Sequence, residues 1–257
     1  AIPLWFAFTL SRRSPTSRFT YGYGRGEDLA GLLIILAILA TGIIAGYESV
    51  TRLNDPPDVE FLWAVAVAAG IGFLGNEGVA LLRIRVGREI GSAALVADGY
   101  HARVDGLTSL AVLVGTVGIW LGYPIADPIV GLVISLAILQ IVVQSGKTVL
   151  ARLLDGVEPG VIEEVRHGAA EPPGVKEVSD VRVRWLGHRL LAEVNIAVSP
   201  ELSVSQGHEI AQEVHHQLLH HLKFLSNVTV HVDPVGESGE EHHIPADHGS
   251  SEEEAPA

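Results

Sequence analysis

Apolar residues run unbroken by charge over residues 29–47 and 128–143, and over 61–82 with only Asn76 and Glu77 interrupting. Each stretch approaches the roughly 20 residues that an α-helix needs to cross a bilayer. Residues 91–121 make a fourth run, apolar overall but carrying Asp98, His101, Arg103 and Asp105. At about 1.5 Å per residue it would be ~45 Å long against a ~30 Å hydrocarbon core, so it is expected to cross and protrude. The chain opens without methionine inside the apolar segment Ala1-Ile-Pro-Leu-Trp-Phe-Ala-Phe-Thr-Leu10. That is about half a span, which reads as the end of a helix whose start lies upstream. The pattern therefore predicts an α-helical membrane bundle with one partial and four complete transmembrane helices over residues 1–150.

Beyond Arg152 the long apolar runs stop. Residues 159–170 read as a short amphipathic helix ended by Pro172-Pro173-Gly174, because proline cannot continue it. Residues 178–185 and 190–198 alternate apolar and polar around Gly187, the signature of a β-hairpin. Residues 203–222 place Val204, Ile210, Val214 and Leu218 near one helical face, and 227–233 form a last alternating strand. The order α-β-β-α-β predicts a small α+β domain over 151–234, two helices on a three-stranded sheet. From 235 to 257 an acidic, histidine-containing tail lacks apolar anchors and is expected to be disordered.

Composition narrows the chemistry. Of 257 residues 48% are hydrophobic and 18% charged, with a mean hydropathy of +0.34, too oily for a soluble domain of this size. There is no cysteine, so thiolate metal sites and disulfides are excluded and any metal must be held by His, Asp or Glu. The net charge of −13 argues against nucleic acid as a partner, since a phosphate backbone must be met by a basic surface. Arg12, Arg13, Arg18 and Arg25 precede the first full span, Arg83, Arg85 and Arg88 lie between the second and third, and Lys147 and Arg152 follow the fourth. The alternate loops, 51–60 and 122–127, hold only Arg52 and are marked by Pro56-Pro57 and Tyr123-Pro124. By the positive-inside rule these loops face outward and everything after Lys147 is cytoplasmic.

The segment Ala97-Asp-Gly-Tyr-His-Ala-Arg-Val-Asp105 concentrates the candidate chemistry. His101 and Asp105 are i and i+4, about 6 Å apart along one helix face, with Asp98 a turn below, so one divalent ion could touch both. Ionisable groups near the bilayer midplane cost ~3 kcal/mol each and normally serve a pathway or a ligand. The inert alternatives are a His-Asp pair that neutralises itself and one that locks two helices together. Imidazole with carboxylate suits zinc and its divalent neighbours. Zinc favours four ligands, so the remaining ones are expected from another helix, the one that opens the chain at Ala1 being the best candidate.

These residues and four further segments, Tyr21-Gly-Tyr-Gly-Arg-Gly-Glu27, Gly75-Asn-Glu-Gly-Val-Ala-Leu-Leu-Arg83, Ala126-Asp-Pro-Ile-Val-Gly131 and Leu153-Leu-Asp155, followed by the α-β-β-α-β domain, resemble the cation diffusion facilitator family. The resemblance extends to about Pro234. It implies six transmembrane helices in the full protein, a cytoplasmic metallochaperone-like domain, and a homodimer in the lipid bilayer that exports Zn²⁺ in exchange for protons, with Cd²⁺, Co²⁺, Fe²⁺ and Mn²⁺ as related cargoes. It implies no organic cofactor and no enzymatic activity, and a bacterial or archaeal plasma membrane with the C-terminal domain cytoplasmic. His101 and Asp105 match the fifth-helix half of the family's transport site, and the second-helix half is not in the chain.

Other correspondences are partial. Where many members carry histidines after the second helix, this chain has Phe19-Thr-Tyr-Gly-Tyr-Gly24. In the cytoplasmic domain His208, His231 and Asp233 match the family's metal-binding positions, while Asn195 stands where histidine can occur. Arg25 and Asp155 resemble the family's basic-acidic pair at the domain entry, whose value is orientation. His216 and His220 have a chelating spacing beside His215 and His221, and read best as a solvated helix face. Glu77 is left without an assigned role, either lining a cavity or pairing with an arginine near the cytoplasmic end. The leading expectation is proton-coupled export of divalent cations. Its competitor is a membrane-anchored metal-sensing module whose helices only dimerise; an intramembrane hydrolase is disfavoured because no general base or oxyanion donor accompanies the site.

Overall fold

A computed structural model describes residues 2–54, 61–123 and 125–236. The chain divides into two compact units, one of residues 1–156 with 185–189 and one of residues 157–184 with those from 190 onward.

The first unit is helical: α1 (Ile2–Ser11), α2 (Arg25–Asn54), α3 (Leu62–Glu89), α4 (Ala93–Trp120) and α5 (Ala126–Leu153). The last four have the length and apolarity to cross a membrane, as the apolar runs predict. The helices outlast those runs because their ends carry charge suited to the helix dipole, Glu27 and Asp28 in the first turn of α2, Arg88 and Arg152 in the last turns of α3 and α5. α4 starts two residues later than the apolar pattern suggests. Gly91 takes a left-handed φ of +73°, and Ser92 then caps α4 by accepting a 3.2 Å hydrogen bond from the Leu95 amide. Of the outer-turn prolines, Pro56, Pro57 and Pro124 lie outside the described residues.

α3 and α4 form a close antiparallel pair. A Cβ at Gly99 would stand 2.6 Å from Ile84 Cγ1 and 2.9 Å from its amide nitrogen, so only glycine permits that approach. α2 packs on α5 and α4, and α1 packs on α2 and touches α4. The core of the unit joins Ile34, Ile35 and Ile38 of α2 with Ala97 and Val104 of α4 and Ile138 and Val149 of α5. Outward faces stay apolar, with Leu33, Ile44, Ile71, Leu74, Val133 and Leu136 exposed, as a lipid-facing surface requires.

The second unit follows the expected order: α6 (Pro159–Ala170), β1 (Glu177–Leu186), β2 (Arg189–Val198), α7 (Val204–His221) and β3 (Leu225–Pro234). The strands lie in the order β1-β2-β3. β1 and β2 turn tightly at Gly187, whose φ is +64°. β2 and β3 are parallel, with Asn195 beside His231 and Ala197 beside Asp233. A parallel pair needs a crossover, which α7 supplies. Ser203 and Gln206 close a capping box at its start. Val165 and Ala169 of α6, Val194 and Ile196 of β2, and Val214 and Leu218 of α7 are fully buried. The tail expected to be disordered, with His242, His243 and His248, lies outside the described residues apart from Val235 and Gly236.

Candidate metal sites

Four ionisable side chains, Asp98, His101, Arg103 and Asp105, project from the N-terminal half of α4, and the bundle treats them unequally. Arg103 reaches α3, where Nη2 donates to Glu77 Oε1 at 2.7 Å and Nε to Oε2 at 3.2 Å. Asp98, 1% exposed, pairs with Arg83 of α3 at 3.0 Å. Both contacts follow from the helical hairpin: each pair sits nearly equidistant from the turn at Gly91. Desolvated charges need partners, and these two pairs clasp α3 to α4.

His101 and Asp105 have no such partners. Among the described residues neither side chain makes a hydrogen bond or ion pair, and His101 Nδ1 is buried without one. The self-neutralising His101–Asp105 pair does not form. His101 lies two residues from both Gly99 and Arg103, about 200° around the helix at 3.6 residues per turn, and so turns away from α3. It sits between Ala97 and Val104, which pack into the core with α2 and α5. Eight residues past Ala93, His101 is about 12 Å into the helix, slightly shallower than a start at Gly91 implied. An imidazole and a carboxylate one turn apart, neither engaged by the protein, are a half-shell for a borderline divalent ion. Asp98, a candidate pathway group, is paired with Arg83.

At the end of the same unit, Arg25 Nη2 pairs with Asp155 Oδ1 and Arg25 Nη1 donates to the Arg152 carbonyl at 2.7 Å. Asp155 takes a φ of +62° where α5 ends, which aims its carboxylate back at Arg25. Glu27, 1% exposed, accepts from the Ser92 hydroxyl at 3.3 Å.

In the second unit His231 Nε2 lies 2.8 Å from Asp233 Oδ1 on one side of β3, and Asp233 is 4% exposed. Asp233 and His208 line one cavity of about 390 Å³ between α7 and β3, together with Val198, Gly207 and Val232. His208 Nε2 accepts from the Gln212 amide at 3.0 Å. Asn195 borders His231 in register. Among the described residues no three His, Asp or Glu side chains converge on a single point, here or in the membrane unit.

Glu77 pairs with an arginine, one of its two expected roles, but the partner is Arg103 of α4 and not an arginine near the cytoplasmic end, and the pairing of Asp98 with Arg83 was not anticipated. The signal was available: an acid and a base at equal distances from a tight turn between two antiparallel helices must face one another. The Glu27–Ser92 contact joins α2 to α4, and no local pattern announces it.

Comparison with known proteins agrees across nearly the whole chain. The family described as cation efflux transmembrane domain matches residues 1–154, and the cytoplasmic domain of cation efflux proteins matches residues 157–235. A probable cation efflux system protein of Mycobacterium tuberculosis is 48% identical over 251 residues, covering 98% of this chain and 72% of the relative. Metal tolerance protein C1 of Arabidopsis thaliana is 30% identical over 237 residues, covering 84% of this chain and 49% of the relative. The manganese efflux system protein MneP of Bacillus subtilis is 23% identical over 236 residues, covering 89% and 79%. Among solved structures, a MamM C-terminal domain in a cadmium form is 29% identical and covers 30% of this chain and 95% of that chain, with a TM-score of 0.29.

Proposed function

Because this chain belongs to the cation efflux, or cation diffusion facilitator, family, whose members export divalent metal ions and are not enzymes, we propose that its cargo is chiefly Zn²⁺, exchanged for protons. The observation that carries this reading is the unpaired state of His101 and Asp105 on α4, beside charges that are all paired. An imidazole nitrogen favours zinc over the harder manganese, while carboxylate oxygen accepts either. Proton exchange follows from the same residues. An imidazole that gains a proton loses the lone pair that would bind the ion, so proton and metal compete for the site.

The working unit in this reading is a homodimer in a bacterial plasma membrane. The matched cytoplasmic domain and the mycobacterial relative support it. His208, His231 and Asp233 then form a weaker cytoplasmic metal site, open on the Asn195 side. Arg25 and Asp155 act as positioning residues at the end of α5, holding its last turn against the start of α2.

Reconstitution into proteoliposomes tests the proposal. With the lumen about one pH unit more acid than the bath, zinc uptake should rise well above uptake without a gradient, because protonation on the release side weakens the site. Manganese uptake should be slower, the comparison being apt because a relative is named for manganese efflux. Equal zinc uptake with and without the gradient would remove proton exchange. Zinc binding with no flux of any cation would leave the metal-sensing module as the reading.

A further inference from the structure

The exposed face of α7 carries histidines that neither transport nor the His208, His231 and Asp233 set uses. His216 and His220 are i and i+4, and their ring centroids stand 4.2 Å apart with planes inclined at 59°. Both are exposed, and among the described residues neither ring nitrogen makes a hydrogen bond. Their neighbours differ. His221 is engaged with the Gln217 carbonyl at 3.2 Å, His215 is half-buried, and His167 on α6 faces Glu171 at 3.6 Å.

We propose that His216 and His220 form a bidentate site for a borderline divalent cation of the Zn²⁺ class, on the outer surface of the cytoplasmic domain. Two imidazoles one turn apart on a preformed helix can place one nitrogen each on the same ion without ordering new backbone, which removes most of the entropic cost of chelation. Among the described residues no third protein ligand converges there, so in this proposal water completes the shell and the ion exchanges readily. Two electrostatic features favour a cation at this place. The pair occupies the last turns of α7, which ends at His221, where the helix dipole is negative. Glu213 lies three residues before His216 on the same exposed stripe, and the chain carries a net charge of −13. The site does not depend on the transport reading, because its ligands are separate from His101 and Asp105.

Histidine footprinting of the whole chain in detergent micelles, with Zn²⁺ as the probe and mass spectrometry as the readout, tests it. At free zinc ten times the dissociation constant, carbethoxylation of His216 and His220 should fall together by about tenfold, with one shared midpoint. His167, 85% exposed and without a second imidazole, should remain reactive. His216→Gln should abolish protection at His220, and His220→Gln should abolish it at His216, while His215→Gln changes neither. Circular dichroism checks that the exposed substitutions leave the fold intact; should one unfold the domain, the shared midpoint in the unsubstituted chain still decides. Separate midpoints, no protection, or protection of His220 that survives His216→Gln in a folded protein would overturn the proposal.

Discussion

Replacing Glu77 by leucine leaves the Arg103 guanidinium without its partner in the membrane-spanning part of α4. Glu77 is fifteen residues past Leu62 and twelve before Glu89, about 22 and 18 Å from the two ends, so it lies near mid-membrane depth. Its contact with Arg103 is bidentate, at 2.7 and 3.2 Å, and each side chain is 29% exposed. An unpaired arginine at a helix centre costs about 2.5–3.5 kcal/mol on insertion scales, and breaking a fully buried pair costs about 3–5 kcal/mol. Partial exposure places Glu77→Leu at the lower end, about 2–3 kcal/mol. Arg103→Leu should cost a similar amount through the stranded carboxylate. The double leucine variant removes both charges and should recover most of the loss, giving a coupling of about 2 kcal/mol or more. Reversible unfolding in mixed micelles, titrated with a denaturing detergent, measures all four corners of the cycle. Single effects that add to within about 0.5 kcal/mol would show that the pair does not hold α3 to α4. The stake reaches beyond stability, because this clasp sets the rotation of α4 that turns His101 away from α3.

Further consequences are open to direct test. His101→Asp exchanges a nitrogen ligand for a hard oxygen and should widen acceptance toward Mn²⁺ while weakening zinc preference; competition uptake with an unchanged ion profile would remove His101 from the selectivity shell. Gly99→Val would drive a side chain into Ile84, which a Cβ alone would approach to 2.6 Å, and should cost at least the ~1–3 kcal/mol of ordinary overpacking by the same unfolding assay. Ser203→Ala removes the hydroxyl that accepts from the Gln206 amide at 3.3 Å and should destabilise the cytoplasmic domain by about 1 kcal/mol in a thermal melt. Residues 155–234 expressed alone should fold and self-associate; an unfolded monomer by circular dichroism and sedimentation would contradict that.

Much of this architecture is written in local periodicity. Runs such as 29–47 and 128–143 have no way to satisfy their backbone in lipid except as helices, and the alternation around Gly187 admits little but a hairpin. Boundaries were less legible where capping chemistry decides them, as at Gly91 and Ser92, because a left-handed glycine and a capping serine do not disturb hydropathy. The pairing of β2 with β3 also escaped, since parallel neighbours are fixed by a crossover helix and not by adjacent sequence. In the candidate site, His101 and Asp105 stood out from spacing alone. That they are left unpaired while Asp98 and Arg103 are engaged needed the partner helix, as charge balance across α3 and α4 is a tertiary fact. His208 and Asp233, distant in sequence, share one cavity only because α7 lies over β3.

The most direct measurement is zinc flux through proteoliposomes carrying the unsubstituted protein or the paired substitution His101→Ala with Asp105→Ala, at matched amounts of folded protein. The substitution should reduce flux to the level of protein-free vesicles, because both ligands that α4 offers the ion are gone. Flux at the unsubstituted rate would contradict it and place the path of the ion elsewhere in the bundle.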